Sequence, residues 1–186
     1  MRNTILAIGA AALLAGCAVY TEGDEVSFGK PIPATLSSNL TASEVAWSKV
    51  RGTNSITGQA IMRTRGGDVK TCAGLDVSLI PYSAYAAERI AVTYGSDDEG
   101  FARRESRPFS PDPAAYHESI RRSICDAQGN FRFSGLPDGR YFVLVEVSWE
   151  AVQGGRYAYL AGQGGTMMSR VSLSGGEERQ LLLTAN

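Results

Sequence analysis

The sequence predicts a mainly β protein: an antiparallel β-sandwich with a short N-terminal helix and one partly helical insertion. Three observations carry that reading. From residue 52 onward, apolar and polar residues alternate over short runs, the period of half-buried strands rather than helices. Those runs are separated by Gly- and Pro-containing turns, and 21 of the 186 residues are glycine. The one long apolar run lies at the N-terminus, so the remainder reads as a single domain of ordinary globular composition. With 18 basic against 19 acidic side chains, the chain has no electrostatic footprint for wrapping nucleic acid.

The first element is a leader. Arg2 supplies a positive start and Ile5 to Leu14 an apolar stretch of about ten residues, where a spanning helix needs about 20. It ends in Leu14-Ala15-Gly16-Cys17, which resembles the lipobox of bacterial lipoprotein signal peptides. That resemblance implies a signal peptide over 1–16 and a mature chain beginning at an acylated (palmitate-bearing) Cys17. Ala18 after the Cys, in place of Asp, implies in that family an outer-membrane location, here facing the periplasm. Several acyl chains matter physically, because one myristoyl-length chain anchors only marginally. The competing reading is an ordinary secretory signal with a coincidental Cys.

Residues 17–40 have no apolar periodicity but do have Gly23, Gly29, Pro31, Pro33 and Ser37-Ser38-Asn39, the composition of a tether. Thr41-Ala42-Ser43-Glu44 fits a capping box, and Ala42, Val45, Ala46 and Val50 fall near one helical face before Gly52. Strands follow. Ile56, Gly58, Ala60 and Met62 alternate with Thr57, Gln59 and Arg63, and Gly66-Gly67 turns the chain. Leu75, Val77 and Leu79 form a second strand, Ser123 to Cys125 a third, and Asn130 to Phe133 a fourth with both phenylalanines on one face. Leu136-Pro137-Asp138-Gly139 is a turn, with Pro pre-setting its second position. Tyr141, Val143, Val145, Val147 and Trp149 then point one way, and Phe142 and Leu144 the other. Apolar residues on both faces mark a central strand. Two more strands lie near Met167–Leu173 and Arg179–Thr184, around Ser174-Gly175-Gly176.

The segment GNFRFSGLPDGRYFVLVEV, residues 129–147, resembles the signature of carboxypeptidase regulatory-like domains, small transthyretin-like β-sandwiches. SITGQAIM (55–62) and LDVSLIP (75–81) sit where that family places its first two strands. The resemblance spans about half the chain, implies a transthyretin-like sandwich over 41–186, and brings no catalytic residues, since in that family the domain is an accessory module. Residues 82–122 depart from the pattern and read as an insertion.

Tyr82, Tyr85, Ala86, Ile90 and Tyr94 in that insertion recur at near-helical spacing, and Pro108, Pro111 and Pro113 keep the stretch beyond Phe101 irregular. Two roles are open for it. Tyr82, Tyr85, Phe101, Arg103, Arg104 and Phe109 can form a binding surface for a glycan, a peptide or a partner protein, or the aromatics can cover an open sheet face.

Candidate chemistry is sparse. Apart from Cys17 the chain has Cys72 and Cys125, and an exported chain is oxidised, so a disulfide is expected, with two buried thiols as the alternative. A zinc site needs four ligands and His117 is the one histidine, so neither metal nor cofactor is expected. Asp97-Asp98-Glu99 can hold calcium but also fits a solvated acidic turn. Ser27-Phe28-Gly29-Lys30 has the Ser-x-x-Lys spacing but lies in the tether. No Gly-x-Ser-x-Gly elbow accompanies His117. The reading is a non-catalytic, lipid-anchored envelope protein carrying a binding or structural module. The alternatives are a subunit of an envelope secretion or export assembly, and a small hydrolase using His117.

Overall fold

A computed structural model of the chain describes residues 35–103 and 111–185. The leader, Cys17, most of the tether, Arg104 and Phe109 lie outside the described residues.

Among the described residues the chain folds into two sheets and a helical layer. The strands are β1 (Asn54–Arg63), β2 (Val69–Thr71), β3 (Asp76–Pro81), β4 (Glu99–Arg103), β5 (Arg121–Ile124), β6 (Asn130–Leu136), β7 (Gly139–Gln153), β8 (Tyr159–Leu173) and β9 (Glu178–Ala185). The helices are α1 (Ala42–Val45, continued as a 3₁₀ turn to Lys49), α2 (Ala84–Tyr94) and α3 (Ala114–Ser119). In the first sheet β1 is central, with β6 and then β2 antiparallel along one edge and β9 along the other. The second sheet has the order β4-β8-β7-β3-β5, all antiparallel.

The main core lies between the sheets. Ile56, Ala60, Met62, Phe131, Phe133 and Leu136 meet Val77, Leu79, Tyr141, Val143, Val145, Val147, Met167 and Val171. The outer face of the second sheet is not wet: Ile80, Phe142 and Met168 are buried under Tyr85, Ala86 and Ile90 of α2 and Tyr116 of α3. β7 is therefore apolar on both faces because it is sandwiched twice. The insertion covers a sheet face, and its helix forms for local reasons. The Ser83 hydroxyl oxygen accepts from the Ala86 backbone N–H at 3.1 Å, and Gly95 ends the helix at φ +77°.

Cys72 and Cys125 form a disulfide with a Cα–Cα distance of 5.7 Å, joining the end of β2 to the end of β5 across the base of the insertion. At the start of the domain, the Glu44 carboxylate accepts from the Thr41 backbone N–H at 2.7 Å and from its hydroxyl at 2.8 Å. Trp47, on the 3₁₀ turn, lies 5.3 Å from the Tyr141 ring and against the Cα of Gly139, which sits at φ +153°.

Four features differ from the sequence expectation. Residues 36–40 are packed rather than free: Leu36 and Leu40 join the helical core, and Glu88 accepts backbone N–H bonds from Ser37 (2.7 Å) and Ser38 (2.8 Å). Three such bonds, with the Ser37 hydroxyl's at 2.8 Å, hold the Glu88 carboxyl down to about 2. Residues 99–103, where no strand was expected, form the edge strand β4 on β8. β8 begins at Tyr159, well before Met167, and runs straight through Gly162, Gly164 and Gly165. β9 pairs with β1 in parallel, not antiparallel.

The parallel pairing follows from a crossover. β8 ends in the second sheet, and Ser174–Glu177 carries the chain to the first sheet beside the start of β1. Asn54, fully buried, fixes that crossing. Its Oδ1 accepts from the backbone N–H of Gly176 (2.8 Å) and Glu177 (2.9 Å), while its Nδ2 donates to Leu136 O (3.0 Å) and Asp138 Oδ1 (2.9 Å).

Candidate functional site on the four-stranded sheet

The helical layer covers one outer face of the sandwich; among the described residues, nothing is layered on the other outer face, on β6, β1 and β9. The strand period sends Ile56, Ala60 and Met62 inward and therefore Thr57 and Gln59 outward. Register then places neighbours beside them. Thr57 lies between Arg132 of β6 and Gln180 of β9, and Gln59 between Asn130 and Leu182. These six side chains form two rows of three, with strands about 4.8 Å apart and rows about 7 Å apart. Ser123, Ile124 and Asp126 also line the resulting groove, whose volume is about 910 Å³.

Its polar groups are oriented before any ligand arrives. Gln59 Nε2 donates to Gln128 O at 3.1 Å, which turns its carbonyl oxygen away as an acceptor. Asp126 Oδ1 accepts from the backbone N–H of Asn130 (2.8 Å) and Gln128 (2.9 Å), and the Asn130 side chain donates to Oδ2 at 3.0 Å. Those bonds, the Asn130 backbone N–H first, hold the Asp126 carboxyl below its ordinary range, so it stays an anion and an acceptor. Arg132 is 3.6 Å from Glu178 and keeps its outward donors in water. Exposed Ile124 and Leu182 supply the apolar lips. Amides, a guanidinium, a hydroxyl and a carboxylate over two apolar contacts suit a ligand rich in hydroxyl groups with apolar C–H faces.

Of the residues expected to form a surface on the insertion, the four described ones, Tyr82, Tyr85, Phe101 and Arg103, are not brought together there. Tyr85 is buried and donates its hydroxyl to Asp112 Oδ1 at 2.6 Å, so it faces inward rather than toward a ligand. Burial and that bond push its phenol above the ordinary range. Tyr82 stacks on Phe142 at 5.6 Å, and the Arg140 guanidinium lies 3.6 Å from its ring centre. Phe101 and Arg103 project from β4 near Gly165 and Thr166, on a different edge. Tyr82 and Tyr85 are thus spent on packing.

Asp112 is the hub of that layer. Arg89 donates to both its oxygens, at 2.9 and 3.1 Å, and its carboxyl lies below its ordinary value because these bonds outweigh its desolvation. His117 stands 3.9 Å from Asp112 Oδ2 and is exposed, while the nearby Ser119 donates its hydroxyl to Tyr116 O at 2.8 Å. Asp97 and Asp98 hold the Arg170 guanidinium at 2.7 and 3.1 Å. That pairing accounts for the acidic turn.

The groove itself was missed in the sequence. Thr57, Gln59, Arg132 and Gln180 each look like one polar position on an alternating strand, and only the register of three separate strands makes them a site. The fold and groove together define a mainly β sandwich with one covered and one open outer face. No protein-family model matches the chain, and no curated protein matches it significantly. Among solved structures it is similar to the crystal structure of a "putative carbohydrate binding protein" from Pseudomonas aeruginosa, with a TM-score of 0.64 and 23% identity. The match covers 80% of this chain and 99% of that one, and the likeness is one of fold.

Proposed function

We propose that the protein is a non-catalytic, lipid-anchored envelope protein whose sandwich binds carbohydrate in the groove over β6, β1 and β9. The observation that carries the binding reading is the six-residue platform of Arg132, Thr57, Gln180, Asn130, Gln59 and Leu182, built from three strands held in register. A pyranose ring, roughly 5 Å across, needs bidentate polar partners around its edge and apolar contact below, and the platform offers both. The carbohydrate-binding description of the Pseudomonas protein supports the same choice of ligand. The resemblance of residues 129–147 to carboxypeptidase regulatory-like domains supports an accessory role rather than catalysis.

The anchor rests on Leu14-Ala15-Gly16-Cys17, which supports acylation at Cys17 and retention on the periplasmic side of the outer membrane. Cys17→Ser should leave unprocessed or soluble protein; a variant that still fractionates with membranes after high-salt washing contradicts the anchor. Screening the folded domain against an array of bacterial envelope and host glycans tests the ligand class. Saturable retention on a defined set of sugars supports the reading, and retention on none overturns it.

A further inference from the structure

β7 and β8 pair with each other along their whole length, from Gly139↔Leu173 to Gln153↔Tyr159. Among the described residues their neighbours stop early: β3 pairs with β7 no further than Val145, and β4 with β8 no further than Gly165. Trp149 still packs on the main core, so a free two-stranded arm begins at Glu150↔Gly162 and ends in the turn at Gly154–Ala158. Its four cross-strand rows and turn reach on the order of 15 Å beyond the sheet.

The tip of this arm exposes apolar side chains that nothing described covers. Val152 is 68% exposed, Tyr157 85%, Tyr159 62% and Leu160 62%. Val152 and Leu160 are directly opposed and share one face, whereas Tyr159 pairs with Gln153 on the other face and Tyr157 occupies the turn. Apolar groups thus surround the tip instead of forming one flat patch. From Ala151 to Ser169 the single charged residue is Arg156, also in the turn.

We propose that this arm inserts end-on into the interfacial layer of an anionic phospholipid bilayer. A protein partner docks against one face, but a lipid interface contacts every side of what enters it, which is the distribution found here. Tyrosine places its ring among acyl chains and its hydroxyl among headgroups, and Arg156 meets the lipid phosphates. Among the described residues both backbone edges of the arm are without a partner strand, and this limits its depth, because an unpaired N–H is too costly in hydrocarbon but is satisfied at headgroup level. An interfacial depth of about 5–10 Å takes in the turn and the Gln153↔Tyr159 and Val152↔Leu160 rows while leaving Glu150 in water. If Cys17 is acylated, the chain between it and residue 35 reaches at most about 60 Å, so the arm is kept close to lipid. The arm's affinity does not depend on that anchor.

The test uses the chain from Ala18 to Asn186, which keeps both cores because their described residues begin at Leu36. It is sedimented with vesicles of 3:1 phosphatidylethanolamine and phosphatidylglycerol, and with pure phosphatidylcholine. The wild type should bind the anionic vesicles, and Tyr157→Ser/Tyr159→Ser/Leu160→Ser should lower the partition coefficient at least tenfold with unchanged thermal melting. Arg156→Gln should weaken binding about fivefold, on anionic vesicles alone. Wild-type protein that does not sediment, or a triple variant that binds equally well, overturns the proposal. Lipid-free self-association lost in the triple variant also overturns it, because a second copy would then cover the arm. The chain carries no acylation site, so failure here leaves the anchor and glycan readings standing.

Discussion

Asn54→Ala removes the residue that ties β1, the β6–β7 turn and the β8–β9 crossover together. Asn54 is fully buried and makes four hydrogen bonds, of 2.8, 2.9, 2.9 and 3.0 Å. A typical hydrogen bond contributes about 1 kcal/mol net, and a buried group left without its partner costs about 1–3 kcal/mol. Truncation strands the N–H groups of Gly176 and Glu177 and the carbonyl of Leu136. Water entering from the exposed Gly175 side relieves part of that, so the expected loss is about 3 kcal/mol, on the order of a hundredfold in the folding equilibrium. For a domain of this size the melting temperature should fall by about 6–12 °C. Urea melts of the folded domain measure the loss directly. Asn54→Asp separates donor from acceptor. It keeps both acceptor bonds, loses both donor bonds and sets a carboxylate against Asp138 Oδ1. That like charge raises the folded-state value of the new carboxyl. Its penalty is therefore present at pH 7, shrinks as pH falls through that raised value, and is gone below about 4, where the carboxyl is protonated in both states and donates again. An Asn54→Ala loss under 0.5 kcal/mol, or an Asn54→Asp loss independent of pH, would refute the reasoning.

The remaining predictions follow from single contacts. The Cys72–Cys125 bridge closes a 53-residue loop, so reduction or Cys72→Ser/Cys125→Ser should cost about 4 kcal/mol, with hydrogen exchange rising first in α2 and α3; alkylation of both thiols without reduction would contradict the bond. Gly139→Val forces a β-branched residue to φ +153° and drives its side chain into the Trp47 ring, so it should cost about 3 kcal/mol and shift Trp47 fluorescence; a melt within 0.3 kcal/mol of wild type contradicts this. Glu88, held near 2 against an ordinary 4.5, stabilises the packed 36–40 segment above about pH 4.5 and loses that contribution as pH falls toward 2. NMR should show the Ser37 and Ser38 amides protected at pH 5 and released near pH 2; release on raising the pH would show that the carboxylate is not their partner.

How much of this was legible in sequence depended on whether the cause was local. β7 was readable because alternating Tyr141, Val143, Val145 and Val147 with Phe142 between them need two cores. The disulfide followed from two cysteines in a chain whose leader reads as an export signal, and α2 from Tyr85, Ala86 and Ile90 at helical spacing. What failed had distant causes. Gly164 and Gly165 lie before the strand expected near Met167–Leu173, yet β8 passes through them, and a side chain there would strike Val147 O and Ala102 O of the flanking strands. β9 was visible as a strand, but its parallel partner was not, since Asn54 is chemically an ordinary polar residue until Gly176 and Glu177 arrive beside it. Tyr85 could be read as a binding aromatic or as cover for a sheet face, and the second role is the one it plays, because sequence shows its spacing and not the Phe142 face beneath α2. The groove had no one-dimensional signature at all: Arg132, Thr57 and Gln180 become neighbours only through strand register.

Carbohydrate is assigned to that groove, and calorimetric titration checks the assignment. The strongest glycan from the array is titrated into wild-type protein and into Gln59→Ala/Arg132→Ala, whose exposed or half-exposed side chains should leave folding intact. Losing an oriented amide and a guanidinium should weaken binding by about 3 kcal/mol, roughly a hundredfold, with the melting temperature unchanged. Equal affinity in the two proteins would place the ligand elsewhere and contradict the assignment of the site.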